Sequence, residues 1–244
     1  MKSISLFLVA CFTLSISFAQ SADDIINKHI NAIGGKDNWI KVTSLVQAGT
    51  MSFQGMDIQM KISTLHNKGS RTDINLMGMN GYQIITNTEG WSYMPFQGPA
   101  SVEAMTADQV KEQQNMLDVQ GVVIDYAAKG HKAEYIGKED VEGTECLKIK
   151  MTLKSGTVQT LFIDPSTYFI IKTITAVTAN GQEAEVVTSF SNYQKQATGI
   201  VVPMSTTVPL GPGMSADLTF ESVEVNAKLD DSLFKKEILF QPKN

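Results

Sequence analysis

The sequence predicts a mostly β protein in which about eleven strands form a curved antiparallel sheet and one insert covers its open side. Apolar and polar residues alternate with a period of two both before and after residues 105–130. Short glycine-containing breaks separate these segments, which is typical of an antiparallel meander. With 43% hydrophobic and 18% charged residues, the chain has the composition of a globular protein.

Residues 1–19 have the pattern of a secretory signal peptide. Lys2 supplies the positive charge, residues 4–18 are apolar, and Ser17-Phe18-Ala19 forms a small-x-small cleavage site. We therefore expect an exported protein with one domain over residues 20–244. The alternative is a membrane-tethered lipoprotein, because Leu8-Val9-Ala10-Cys11 resembles a lipobox with Cys11 as the lipidated residue.

The mature chain shows no sign of a membrane span or of nucleic-acid binding. No later stretch approaches the ~18 apolar residues that a spanning helix needs. The formal net charge is −5 and Arg71 is the sole arginine, so a basic surface for nucleic acid is missing. The length suits a single all-β domain, which often has roughly 200–250 residues.

A short helix is expected directly after the signal. Ser21 and Asp24 form a capping-box-like start, isoleucines follow on one helical face, and Gly34-Gly35 ends the helix. His29 lies on the same apolar face, where we expect a packed histidine rather than a ligand.

The strands are expected on both sides of the insert. Asn180-Gly181 is the strongest hairpin signal in the chain. In the last strand Ala216, Leu218 and Phe220 have one parity, whereas Val223 and Val225 have the other, which predicts a bulge or a corner of the sheet. The expected strands are residues 45–53, 56–63, 71–77, 82–87, 91–96, 147–154, 157–163, 168–177, 183–193, 200–208 and 216–225.

The insert Met105–Gly130 is predicted to be helical. Thr106 can act as N-cap with Gln109 as its capping-box partner. Residues 119–126 are unusually apolar, so this part has to be covered by another surface. We therefore interpret the insert as a lid over the sheet, with Gly121 as a candidate hinge. Its predicted inward residues are Val110, Met116, Leu117, Val122, Val123 and Tyr126.

The sequence contains no catalytic or metal-binding motif. His29, His66 and His131 are far apart and form no metal-ligand pattern. No nucleophile or phosphate-loop motif occurs, and Cys146 is interpreted as an inert strand residue. We therefore expect no enzyme, no catalytic residue, no metal and no cofactor. A hydrolase with an unrecognised carboxylate pair is kept as an alternative.

A curved sheet under a lid predicts a hydrophobic cavity. The chain has 12 methionines, which either fill gaps in a core or line a pocket that adapts to its ligand. Such a cavity suits acyl chains, since burial contributes about 0.8 kcal/mol per CH₂ group. The predicted ligand-binding residues are Met56, Ile58, Met60, Ile62, Leu147, Ile149, Met151, Leu218 and Phe220.

Several turn and packing motifs resemble those of the LolA-like outer-membrane lipoprotein-sorting proteins of Gram-negative bacteria. The resemblance covers nearly all of the mature chain. The matching residues are Ala32-Ile33-Gly34-Gly35 with Trp39, Gly49-Thr50-Met51, Gly121-Val122-Val123-Ile124-Asp125-Tyr126, Lys129-Gly130-His131, Thr152-Leu153-Lys154-Ser155-Gly156, Asp164-Pro165, Thr167-Tyr168 and Asp230-Asp231-Ser232-Leu233-Phe234.

This resemblance implies an incomplete, half-open antiparallel β-barrel whose helices close a hydrophobic cavity. It implies a periplasmic carrier that holds the acyl chains of lipoproteins or lipids, in outer-membrane lipoprotein sorting. The alternative is a non-catalytic envelope module that docks a partner protein. In such carriers an early-strand arginine can latch the lid. Arg71 shares its parity with Asp73 and Asn75, so we expect it on the polar face and assign no latch.

Overall fold

The computed structural model describes residues 21–98, 100–179, 182–211 and 214–236. The predicted signal peptide, Cys11 and the Asn180-Gly181 turn lie outside these residues. The helices are α1 (Ala22–Ala32), α2 (Lys36–Trp39) and α3 (Ala107–Gln113), and two 3₁₀ turns span Gln114–Leu117 and Asp231–Phe234.

The strands of the described residues number thirteen rather than eleven. The two that the sequence did not predict, β6 and β7, form the two edges of the sheet. The strands are β1 (Ser44–Phe53), β2 (Met56–Leu65), β3 (Gly69–Leu76), β4 (Met79–Thr86), β5 (Gly90–Tyr93), β6 (Val102–Ala104), β7 (Lys132–Val141), β8 (Thr144–Thr152), β9 (Val158–Ile163), β10 (Ile170–Ala179), β11 (Gln182–Lys195), β12 (Val201–Gly211) and β13 (Met214–Val225).

All thirteen strands belong to one antiparallel sheet. Its order is β6-β5-β4-β3-β2-β1-β13-β12-β11-β10-β9-β8-β7, so the sheet consists of two meanders joined by the β1–β13 pair. The sheet is not closed, which confirms the prediction of a half-open barrel of antiparallel strands.

The main core lies on one face of the sheet, which we call the inner face. On this face α1 and residues 119–126 of the insert pack against β8, β9, β12 and β13. Ile25 and Ile26 of α1 are fully buried there, together with Ile149 and Met151 of β8. Trp39 anchors α2 by donating its indole N–H to the carbonyl oxygen of Ile33 at 2.9 Å.

A bulge between β1 and β13 explains the predicted parity change. Phe220 pairs with Gly49, while Val223 pairs with Gln47, and the register shifts between Ala48 and Gly49. Both Phe220 and Val223 therefore belong to the inner-face core despite their different parity. A Cβ atom on Gly49 would lie 2.1 Å from the carbonyl oxygen of Thr219, so only glycine fits here.

The insert is mostly not helical, so this part of the prediction is wrong. The capping box of Thr106 and Gln109 is present, but α3 ends at Gln113 and residues 118–130 form turns. Gly121 and Asp125 have positive φ, which interrupts a helix. The consecutive residues Val122 and Val123 are β-branched, a type that lowers helix propensity.

His29 of α1 is a packed histidine, as predicted. It is buried, and its Nδ1 lies 2.7 Å from the carbonyl oxygen of Tyr168. Because a carbonyl oxygen can only accept, Nδ1 donates and carries the proton of the neutral ring. Burial lowers the pKa of His29 to about 4, and the hydrogen bond to Tyr168 offsets only part of this effect.

A second, smaller core lies on the opposite, outer face of the sheet. Ile84 and Trp91 of β4 and β5 are buried there against Phe234 of the C-terminal 3₁₀ turn. A Cβ atom on Gly69 would lie 2.7 Å from the Phe234 ring, so β3 passes directly beneath it. The C-terminal segment therefore covers the outer face of the N-terminal meander.

Replacing Gly49 by alanine should destabilise the junction between the two meanders. The added methyl group overlaps the β13 backbone, so we expect the free energy of unfolding to fall by roughly 1–3 kcal/mol in chemical denaturation. Gly98→Ala is the matched control, because no atom lies within 4 Å of its Cβ position. Equal stabilities of the two variants would contradict this view of the junction.

Acid should weaken the fold through His29. Its pKa is lower in the folded protein than the ordinary value of about 6.5, so the unfolded chain binds the proton first. The stabilisation is complete above pH 6.5 and is lost as the pH falls towards 4, by about 3 kcal/mol in all.

The His29→Gln variant isolates this effect, because glutamine does not titrate and its amide can still donate. Between pH 7 and pH 4 we expect the free energy of unfolding to fall by about 3 kcal/mol more in the wild type than in the variant. If the difference in stability between the wild type and the variant did not change with pH, His29 would not be a cause of the acid sensitivity.

Candidate functional site

The strand register brings the predicted ligand-binding residues to one face. Met51 of β1 pairs with Leu218 on one side and with Ile58 on the other, and Gly49 in the same way links Phe220 to Met60. Since neighbouring residues on paired strands point to the same face, these side chains form rows across β13, β1 and β2.

The apolar inner face is covered by α1 and the insert at β8 and is exposed to solvent at the start of β2. Leu147, Ile149 and Met151 of β8 are fully buried beneath α1 and the insert. Ile58 is just buried, whereas Met56 at the start of β2 is 40% exposed. Exposure thus increases from β8 towards the hairpin turn of β1 and β2.

Beneath the turns of the insert, protein side chains fill the inner face. Val123 and Ile124 belong to the same core cluster as Leu147 and Ile149. A ligand could reach the β8 residues only if the insert moved away. We therefore place the candidate site, which we call the apolar strip, on the open part of the inner face. It consists of Met51, Met56, Ile58, Met60 and Leu218.

The structure buries most of the predicted inward residues of the insert. Those that are buried or half-buried are Val110, Leu117, Val122, Val123 and Tyr126. The prediction for Met116 is wrong, because this residue lies in the 3₁₀ turn and is 54% exposed. The prediction did not include Ile124, which is fully buried. It assumed a helix, and in a helix Ile124 would lie on a different face from Val123. The hinge role of Gly121 stays a prediction.

Large apolar side chains are exposed at the end of the apolar strip, and we call this group the rim. Its residues flank the hairpin turns β1–β2, β3–β4 and β12–β13, which the antiparallel register places at the same end of the sheet. Met77 is the most exposed of them at 83%. The rim consists of Met56, Met77, Met79, Leu210 and Met214.

Polar contacts around Asp118 hold the turns of the insert together. The carboxylate of Asp118 accepts a hydrogen bond from the ammonium group of Lys129, which also donates to the carbonyl oxygen of Gly121 at 2.8 Å. His66, in the turn between β2 and β3, lies with its Nδ1 3.5 Å from Oδ1 of Asp118. Burial lowers the pKa of His66. Asp118 and Lys129 therefore close the turns of the insert on themselves, and His66 lies beside them.

The described residues contain no group of three or more His, Cys, Asp or Glu side chains that could hold a metal ion. Cys146 is fully buried, and burial raises the pKa of its thiol, which disfavours the reactive thiolate. Of the helices within residues 21–98, 100–179, 182–211 and 214–236, none is long and apolar enough to cross a membrane.

Comparison with solved structures identifies the fold. A DUF1329 family protein from Desulfovibrio piger has a TM-score of 0.58 at 13% identity, covering 91% of this chain and all of that one. A LolA superfamily protein from Nitrosomonas europaea also has a TM-score of 0.58 at 13% identity, with coverages of 90% and 100%. The fold is LolA-like.

A further LolA-like neighbour is a domain from Vibrio parahaemolyticus that is described as an outer membrane lipoprotein-sorting protein domain. It has a TM-score of 0.56 at 12% identity and covers 88% of this chain and 97% of that one. The sequence itself matches no family model and no curated protein. The predicted LolA-like fold is thus confirmed by three-dimensional structure.

Removing the charge of Asp118 should loosen the insert. In Asp118→Asn the ammonium group of Lys129 loses its buried counter-charge, and we expect a loss of about 1–2 kcal/mol in local stability. Amide hydrogen exchange of residues 118–131 should become faster, while exchange in β8 stays unchanged.

The matched control is Glu145→Gln, which breaks the exposed ion pair between Lys138 and Glu145. An exposed pair contributes little, so this variant should exchange like the wild type. If residues 118–131 exchanged at the wild-type rate in Asp118→Asn, the contacts of Asp118 would not be what orders the insert.

Proposed function

We propose that this protein is a periplasmic carrier that binds the acyl chains of lipoproteins or lipids and takes part in outer-membrane lipoprotein sorting. The observation that carries the proposal is the apolar strip, which continues from the sealed core to the exposed rim. Support also comes from the LolA-like fold and from the neighbour described as a lipoprotein-sorting domain.

The apolar strip has the chemistry that acyl chains need. Met51, Met56 and Met60 alternate on β1 and β2 with residues of the outer face. Methionine is flexible and polarisable, so these side chains can adjust to a chain of varying length or branching. Burial against them contributes about 0.8 kcal/mol per CH₂ group.

The half-open sheet also gives such a ligand a way in. The apolar strip ends at the rim, between hairpin turns, so an acyl chain can enter along the strand direction without breaking the sheet. Loading deeper, towards Leu147 and Ile149, would require the insert to separate from β8. We therefore propose that the insert acts as a lid, whose turns the contacts of Asp118 hold together.

A second function, docking of a partner protein, is supported by the rim itself. Met77 and Met214 are exposed at hairpin turns on either side of the β1–β2 turn, and exposed apolar groups often mark interaction sites. If docking is the function, the rim contacts another envelope protein and the apolar strip remains part of the core. The two functions differ in whether lipid is bound.

Introducing a charge into the apolar strip should weaken lipid binding. We expect Met56→Glu to bind a fluorescent fatty acid about tenfold more weakly, because it removes roughly 1.5 kcal/mol of apolar contact and buries a charge. Met56 is exposed enough for the fold to tolerate the change.

Thr219→Glu is the matched control, since Thr219 is exposed on the outer face of β13 and next to Leu218. It should bind the fatty acid like the wild type. Mass spectrometry of organic extracts from the purified native protein gives an independent measurement. Absence of lipid in the extracts, combined with no fatty-acid binding by the wild type, would rule out the carrier and favour the docking function.

A further inference from the structure

The outer face of the sheet contains a groove that the carrier function does not use. It has a volume of about 580 Å³ and crosses β1–β4 beside β13, with Leu233 of the C-terminal 3₁₀ turn at one side. We call it the outer groove. Its charged and aromatic lining residues are Lys61, Arg71, Asp73, Tyr82 and Glu221.

The register places this lining on the face opposite to the apolar strip. Lys61 pairs with Asp73, and Asp73 pairs with Tyr82, so the three form one row across β2, β3 and β4. Each follows or precedes an inner-face residue by one position, as Lys61 follows Met60. The outer groove is therefore separated from the acyl-binding surface by the sheet itself.

Arg71 is held rigidly at the groove. Its Nε and Nη2 donate to Oδ1 of Asp73 at 2.9 and 2.8 Å, and its guanidinium carbon lies 4.6 Å from the centre of the Tyr82 ring. The Arg71 side chain is only 7% exposed. The prediction from parity was correct for its face, because Arg71 pairs with Asp73 on the outer face.

One edge of this guanidinium is left without a partner. Among the residues that the structure describes, the buried Nη1 of Arg71 has no hydrogen-bond acceptor. A buried donor without an acceptor is unfavourable, and more so when it is charged, because it has lost its hydrogen bonds to water. Asp73 and Tyr82 thus fix the guanidinium in place while its Nη1 edge remains available to an acceptor from outside the described chain.

Lys61 adds a second positive charge to the lining of the groove. It is the direct cross-strand neighbour of Asp73, so it lies diagonally across from Arg71, at a Cβ separation of about 7–8 Å in such pairs. Its side chain is exposed. Asp73 and Glu221 balance the charges of Lys61 and Arg71 in the lining, so a ligand with a single negative charge adds the smallest excess of charge to the groove.

We propose that the outer groove binds a small molecule through a singly charged oxyanion, a phosphodiester or a carboxylate, held by Arg71 and Lys61. One oxygen accepts from Nη1 of Arg71 and the other from the ammonium group of Lys61. Asp73 acts as a positioning residue, since it orients the guanidinium. The site is independent of the acyl-binding function, because it lies on the other face.

Arginine-selective ¹⁵N NMR tests this proposal in the intact protein. Arg71 is the sole arginine, so every guanidinium signal reports on this one side chain. Dimethyl phosphate and butyrate serve as singly charged probes, and neutral trimethyl phosphate serves as their control. We expect a saturable shift of the Arg71 signals with at least one charged probe and none with the neutral probe.

Two variants then assign the shift to the groove. Lys61→Gln should weaken binding by about threefold or more, because an exposed charge contributes up to roughly 1 kcal/mol. Lys150→Gln, on β8 at the far side of the sheet, should leave binding unchanged. No saturable shift with either charged probe, an equal shift with trimethyl phosphate, or equal binding by Lys61→Gln and the wild type would overturn the proposal.

Discussion

The structure depends on one constraint, which is that a thirteen-stranded open sheet must have its apolar inner face covered. Helix α1 and the turns of the insert cover the part formed by β8, β9 and β12. They do not extend over the starts of β2 and β13, where Met56 and Met214 are exposed. Function is therefore expected where the cover ends. The positions of the lid, the apolar strip and the rim all follow from this limited cover.

The two faces of the sheet offer different kinds of contact to a ligand. On the inner face, flexible apolar side chains such as Met51 and Met60 offer a surface without directional requirements. On the outer face, Asp73 and Tyr82 hold one guanidinium in a fixed orientation. Because side chains alternate along a strand, β1–β3 contribute side chains to both surfaces.

Much of the fold could be predicted from local patterns. Alternation in β2 and β8 identified the inner face, because one buried side requires apolar residues at every second position. The parity change between Phe220 and Val223 predicted the bulge at Gly49. Glycine turns and capping residues marked most element ends, since these depend on neighbours in sequence.

Features that depend on distant contacts could not be predicted in the same way. Strand β7 was missed because Gly137 lies in a bulge that breaks its alternation and because edge strands carry many charges. The apolar run of the insert suggested a helix, yet Val123 and Ile124 are both buried by tertiary packing in a turn. Likewise, nothing near Arg71 in the sequence indicates that Leu233 and Tyr82 lie beside it at the outer groove.

The pairing of β1 with β13 has a consequence for how the molecule folds. Leu45 lies in the first strand of the chain and pairs with Val225 in the last strand. While the chain emerges N-terminus first, β1 can form a hairpin with β2, but its other edge must wait for β13. Pairings between such distant segments slow folding, and an unpaired strand edge invites aggregation in the meantime. The architecture therefore requires that the N-terminal meander be protected from aggregation until β13 is made, just as the folded sheet requires a cover on its inner face.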